Sequence, residues 1–256
     1  MNGAFYIGAT GLDAEQRALD VVANNIANIN TNGFKRSQAR FSELIGASAD
    51  KLDPGNADAA PTPLLGVSVD ASALDFSEGP LTQTGHAMDV AISGAGFIEM
   101  MGPGGQTLLW RGGSLEVNDD GYLAAADGTP LKAMITVPEG VTSLTINGDG
   151  SVVAQVNGST AGRNIGQIDL VQDKDLSTLT TQTGGYYQPA NLNDLTSSAP
   201  GETGAGVLVQ GSLESSNVNL SNEMITMLLM QRAYSANAQV VQAGDQLMAI
   251  ANSLRR

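Results

Sequence analysis

The sequence holds no cysteine and a single histidine, His86, among 256 residues. Disulfide scaffolds, Cys-ligated zinc and cysteine nucleophiles are therefore excluded, as is a multi-histidine metal cage. Aromatic residues make up only 4%. Lys and Arg total 12 against 26 acidic residues, a formal net charge of -14. Nucleic-acid partners need clustered cations on the protein, so none is expected. Anionic membrane surfaces are disfavoured for the same reason. No run of 18 apolar residues occurs, so no membrane-inserted helix is expected. Met1 to Ala9 lacks the basic region and apolar stretch of a secretory signal. The chain is expected to stay in the cytoplasm or to leave by a route that needs no cleaved signal peptide.

Motifs of catalysis are also missing. There is no G-x-S-x-G, and one histidine leaves no Ser-His-Asp set to assemble. Gly94-Ala95-Gly96 and Gly102 to Gly105 lack the strand, helix and lysine context of a phosphate cradle. Asn118-Asp119-Asp120-Gly121 and Asn147-Gly148-Asp149-Gly150 lack the spaced carboxylates and terminal Glu of a calcium loop, and read as turns. Nothing marks any two of the acidic residues as a glycan-cleaving pair. His86 follows a glycine in a polar stretch and is expected on the surface. No catalytic residue, metal ligand or cofactor is assigned, and no enzyme is expected.

What is present is helix at both ends and turn-rich β in between. The 42% hydrophobic content is enough for a core, and 31 glycines imply many turns. From Ala4 to Ile29 the pattern is helical. Phe5, Leu12, Leu19 and Ile26 recur every seven residues, with Val22 and Ile29 in a second apolar position. Gly8 and Glu15 interrupt that second position. Asn30 to Gly33 is a breaker cluster suited to a helix end. From Asn219 to Ser253, Leu220, Met227, Tyr234, Val241 and Met248 repeat in the same way. Met224 and Ala238 widen this seam, and Val240, Leu247 and Leu254 form a second stripe. Ser221 or Asn219 can cap the start. The expected fold is α+β, with the long N- and C-terminal helices pairing as a coiled coil around a β-rich central region.

Short apolar runs punctuated by glycine lie between Val67 and Gly211, and Asn147 to Gly150 is a hairpin signal. Gly46 to Pro63 reads as a linker or extended hairpin, and Gln182 to Gly206 as a loop-rich stretch. The expected organisation is a terminal helical domain (1–35 and 216–256), a connecting region (36–80 and 185–215) and an outer β domain (81–184).

Two segments are not explained by helix-making alone. Val22 to Lys35 reads VANNIANINTNGFK, and Glu214 to Tyr234 reads ESSNVNLSNEMITMLLMQRAY. Asparagine is a weak helix former, yet Asn24, Asn25 and Asn28 sit in the predicted helix, where amides can fix the register of an interface. These segments resemble the terminal signatures of the flagellar rod and hook family of axial proteins. The N-terminal likeness rests on Ala23, Asn24, Asn25, Ala27, Asn28, Thr31, Gly33, Phe34 and Lys35. The C-terminal one rests on Ser216, Asn217, Val218, Asn219, Glu223, Met224 and Gln231-Arg232-Ala233-Tyr234. The central run Asp89 to Phe97, DVAISGAGF, is also similar to the family's. The tail is most similar to members of the distal rod. The segment between Ile45 and Val67 departs from them, being shorter and rich in Ala, Asp and Pro.

The resemblance implies a structural subunit of the rod, a hollow rigid tube that carries torque from motor to hook. A proximal rod or hook subunit, or a secreted cell-wall-binding protein, is the alternative. Expected partners are further copies in a helical tube, neighbouring rod and hook proteins, surrounding ring proteins and the flagellar type III export apparatus. The expected location is the basal body, across the periplasm. Interface residues would be Phe5, Leu12, Leu19, Asn24, Asn25, Ile26, Asn28, Ile29, Leu220, Met224, Met227, Gln231, Arg232, Tyr234, Val241 and Met248. Phe41 and Ile45 resemble the family's F-x-x-x-apolar export signal; a short helix is the alternative reading of that segment.

Overall fold

The computed structural model describes residues 2–45, 64–156, 162–202 and 204–253. Gly46 to Pro63, read above as a linker, and Leu254 lie outside the described residues. The chain forms two compact units. Unit 1 comprises 1–27, 37–75 and 218–256, and unit 2 comprises 28–36 and 76–217.

Unit 1 holds helix α1 (Asn2–Ala27), the antiparallel strands β1 (Ser37–Ile45) and β2 (Leu64–Leu74), and helix α2 (Leu220–Ser253). Asn219 caps α2, its side chain accepting a hydrogen bond from the Asn222 N–H at 3.2 Å. Asp13 and Arg17 form the expected pair on α1 at 3.0 Å, with both side chains exposed. Such a pair contributes a few tenths of a kcal/mol.

The expected coiled coil is not what the helices form. Glu15 meets Asn237 and Asn25 meets Glu223, so α1 and α2 run antiparallel. The buried face of α1 carries Gly8, Gly11, Ala14, Ala18, Val22 and Asn25. A Cβ on Gly8 would lie 2.7 Å from Cγ2 of Val241, and one on Gly11 2.9 Å from Nδ2 of Asn237. Small residues thus let the helices approach closely, where knobs-into-holes packing needs large ones. The large residues of the predicted seams are half-buried, as Leu12 and Leu19 are, or exposed, as Phe5, Leu220, Tyr234 and Met248 are. A second correction concerns residues 41–45, which continue β1 and are not a helix.

Unit 2 is built of strands: β3 (Leu81–Gln83), β4 (Asp89–Ser93), β5 (Phe97–Met101), β6 (Thr107–Trp110), β7 (Gly112–Val117), β8 (Leu123–Ala125), β9 (Val141–Ile146), β10 (Ser151–Val156), β11 (Arg163–Gln167), β12 (Leu170–Asp173), β13 (Thr180–Gln182), β14 (Tyr186–Gln188), β15 (Leu195–Ser198), β16 (Val207–Gln210) and β17 (Ser212–Glu214). They pair as a six-stranded sheet in the order β13-β14-β6-β5-β12-β15, a four-stranded sheet β16-β4-β7-β8, a three-stranded sheet β11-β10-β9 and the pair β17-β3. All named pairings are antiparallel. On β10 the side chains alternate, with Val152 and Ala154 fully buried. Val90, Ile92, Ile98, Met100, Leu123, Leu131, Ile168 and Leu170 fill one continuous core. Each such side chain contributes about 1.5–3 kcal/mol on burial, against about 0.8 kcal/mol for the single methyl of each buried alanine in α1.

Candidate assembly surface and a buried ionic cluster

At 100° per residue, the packed side of α2 carries Glu223, Met227, Met230, Asn237, Val241 and Gly244. Roughly opposite lies a second apolar face. Ile225, Leu228, Leu229, Val240, Leu247 and Ile250 are there, each more than half exposed. Water against so much contiguous apolar surface is unfavourable, which makes this face a candidate contact surface. On α1, Phe5, Tyr6 and Ile7 are also exposed.

The sequence-predicted residues fall into three groups. Leu220, Met224, Gln231, Arg232, Tyr234, Met248, Phe5 and Asn24 are exposed. Leu12, Leu19, Ile26, Met227 and Val241 are half-buried in unit 1, as Asn28 and Ile29 are in unit 2. Asn25 is buried. Val240 and Leu247, the second predicted stripe, lie on the exposed face. Ile225, Leu228 and Leu229 were not singled out, although the unbroken apolar run Met227 to Met230 signals a helix apolar on every side. Phe41 on β1 is 46% exposed.

Polar contacts set the register of α1 on α2. The Asn25 amide donates to the carbonyl of Ser37 at 2.8 Å and to Oε2 of Glu223 at 3.2 Å, and its Oδ1 accepts from the Ser37 N–H at 2.9 Å. Glu223 is fully buried. Farther along, Asn237 donates to Oε1 of Glu15 at 3.1 Å. The other oxygen of Glu15 has no hydrogen-bond partner among the described residues. Burial pushes the Glu15 carboxyl above its ordinary value, against the hydrogen bond from Asn237.

In unit 2 one predicted motif residue, Lys35, meets a buried carboxylate. Glu214 on β17 is 3% exposed. Its Oε1 accepts from Nζ of Lys35 at 2.6 Å and from the N–H of Gly79 at 2.9 Å. Its Oε2 accepts from Nε of Arg111 at 3.1 Å, and Nη2 of Arg111 lies at the same distance without hydrogen-bond geometry. Gly79 has to be glycine, because a Cβ there would sit 2.0 Å from the Ser215 carbonyl oxygen. Arg111 also donates from Nη1 to the carbonyls of Gly94 and Gly96, and its guanidinium lies 5.7 Å from the centre of the Phe97 ring. Phe97, Phe76 and Tyr187 pack edge to face. Lys35 donates a second bond, at 2.7 Å, to the Ser77 carbonyl.

Burial would raise the Glu214 carboxyl, but Arg111, Lys35 and the Gly79 N–H hold it below the usual range. Burial pushes the Lys35 ammonium down, against the pull of Glu214. Of the remaining motif residues, Thr31 donates to Oδ1 of Asn28, Gly33 takes φ +71°, Phe34 is half-buried, and Ser216 and Val218 are buried. Oδ1 of Asn217 accepts from the Arg36 N–H at 2.7 Å. Neither Glu214 nor Arg111 was marked as a partner of Lys35 by the sequence.

Against known proteins, the chain is 33% identical over 251 residues to the flagellar basal-body rod protein FlgG of Buchnera aphidicola subsp. Baizongia pistaciae, covering 96% of each. The chain belongs to the flagellar basal-body rod protein family. It is 32% identical over 266 residues to FlgG of Borreliella burgdorferi, spanning all of both chains. It is 32% identical over 245 residues to the rod protein FlgF of Caulobacter vibrioides, covering 94% of this chain and 93% of that one. Family models match along its length: the flagella basal body rod protein at 5–35, the flagellar hook protein FlgE/F/G D1 domain at 91–154, and the flagellar basal body rod FlgEFG protein C-terminal region at 209–254. As a rod-family protein it is a structural subunit located in the flagellar basal body. No described helix is long and apolar enough to cross a membrane.

Proposed function

We propose that this chain self-assembles helically into the distal part of the rod, a hollow rigid tube, by burying the exposed apolar face of α2 against neighbouring copies. The supporting observation is that α2 is apolar on two sides while α1 covers only one. A contact between unlike faces that does not close generates a filament. Ile225, Leu228, Leu229, Val240 and Leu247 on that face are the residues best placed to form it, and Phe5, Leu220, Met224, Tyr234 and Met248 offer further exposed apolar surface on the two helices. At its ends the tube meets other rod and hook proteins. Ring proteins surround it, and the type III export apparatus delivers its subunits, with Phe41 and Ile45 as the export signal. No enzymatic step is assigned to it.

The test is to delete the gene and image purified basal bodies. The expected result is a rod that stops short of the outer rings, with no hook. A chain carrying Leu228→Asp and Leu229→Asp is expected to be exported yet to leave the rod equally short. Absence of any rod beyond the inner-membrane ring would instead assign the chain to the proximal rod. An intact rod and hook would overturn the proposal.

A further inference from the structure

Lys35 is the only fully buried side chain of residues 28–36, the N-terminal segment of unit 2. Besides Lys35, backbone bonds hold this segment to the rest of the unit. The Gly33 N–H donates to the Glu214 carbonyl at 2.8 Å, and the Arg36 N–H donates to Asn217. A longer contact, 3.4 Å, runs from the Tyr187 hydroxyl to the Gly33 carbonyl.

The charge balance of the cluster is uneven. Two cations, Lys35 and Arg111, face one carboxylate. Withdrawing Lys35 leaves Glu214 paired with Arg111 and still bonded to the Gly79 N–H. No lone buried charge would result, and the freed ammonium would regain its water. Removing Glu214 differs, because it would strand both cations in the interior. Removing Arg111 differs too, because it would take the donor from the Gly94 and Gly96 carbonyls, whereas the Ser77 carbonyl keeps its bond from the Asn217 amide. Lys35 is thus the member of the cluster whose departure disturbs the fewest polar contacts of unit 2.

We propose that Lys35 is a releasable anchor: residues 28–36 dock onto unit 2 through insertion of one primary ammonium into a socket formed by Oε1 of Glu214 and the Ser77 carbonyl. The socket selects a primary ammonium because its two acceptors, 2.6 and 2.7 Å from Nζ, need at least two N–H donors on one small cation. The inference does not depend on the assembly surface of α2, since all the groups it uses belong to unit 2.

The experiment is amide hydrogen exchange on the full chain with Lys35→Ala and Lys35→Met. In both variants the Gly33 and Arg36 amides are expected to exchange about tenfold to a hundredfold faster, in line with the loss of hydrogen bonds to a charged group. The amides of β5 and β6 are expected to keep their protection. Added propylammonium is expected to restore protection in Lys35→Ala, where it can occupy the vacated socket. Tetramethylammonium, which has no N–H, is expected to restore nothing. Three results would each overturn the proposal: unchanged Gly33 and Arg36 exchange in Lys35→Ala, full protection in Lys35→Met, or parallel loss of protection in β5 and β6, including outright failure of both variants to fold. Equal restoration by tetramethylammonium would also count against it, by reducing the effect to ionic strength.

Discussion

The two units of this chain solve the burial problem in opposite ways. Unit 2 hides Ile92, Ile98, Leu109, Leu123 and Leu131 completely, in sheets that pair among themselves. Among the described residues of unit 1, the buried apolar side chains are Ala14, Ala18, Val22 and Val218, while Leu228, Leu229, Leu247 and Ile250 face water. Hydrophobic residues are plentiful in both. The difference is whether they are covered. Unit 2 buries its own apolar side chains, whereas unit 1 leaves a large apolar face of α2 exposed, and an isolated helix is only marginally stable in water.

The comparison can be broken in order of expected effect. The largest is in exchange: in the free chain, amides of α1 and α2 are expected to open many orders of magnitude more often than those of β5 and β6. Strong protection of residues 5–27 in dilute monomer would refute the contrast. Next, Ile98→Ala is expected to cost about 2–5 kcal/mol, read as a lower urea midpoint for unit 2. Leu228→Ala on the exposed face is expected to move that midpoint within error. Asn25→Ala comes third. It removes three hydrogen bonds, one to the buried Glu223 and two to Ser37, so a loss of about 1–3 kcal/mol is expected, read in the exchange of unit 1.

The smallest effect concerns pH, and its sign should differ between the units. Burial would raise the Asp89 carboxyl, but the Ser114 and Thr84 hydroxyls and nearby His86 hold it below its ordinary value. Glu214 is likewise held low. A depressed carboxyl stabilises the fold above its unfolded pKa, and that contribution is lost as pH falls through the folded value. Unit 2 should therefore weaken below about pH 4. Glu15 is raised, so its contribution is complete below its unfolded pKa and is lost as pH rises through the folded value. The α1–α2 pair should tighten on mild acidification. Glu15→Gln should abolish that response, and helix exchange that slows equally with pH in the variant would rule Glu15 out as its source.

Much of this was legible in local sequence. The breaker at Asn30 to Gly33 and the apolar periodicity placed both helices to within about two residues, in keeping with normal boundary error. Asn147 to Gly150 does turn between β9 and β10. What the sequence hid was long-range. Heptad counting weighs large apolar residues, so it favoured Phe5 and Leu12 over the glycines and alanines that face α2. Residues 41–45 carry no clear alternation, and only pairing with β2 makes them a strand. Lys35 reads as a motif letter, because nothing near it in sequence announces a carboxylate 179 residues away.

That distant tie has a consequence for how the molecule comes together. Helices α1 and α2 are separated by about 190 residues, and closing so long a loop is entropically unfavourable. Once unit 2 has folded, Gly33 and Arg36 are already hydrogen-bonded to Glu214 and Asn217. The chain that must still be closed is then a short tether at each helix. The logarithmic dependence on loop length makes this shortcut worth on the order of 2–3 kcal/mol. In chain-entropy terms, the β-sheets serve as a staple that lets the two ends of one polypeptide behave as adjacent sequence.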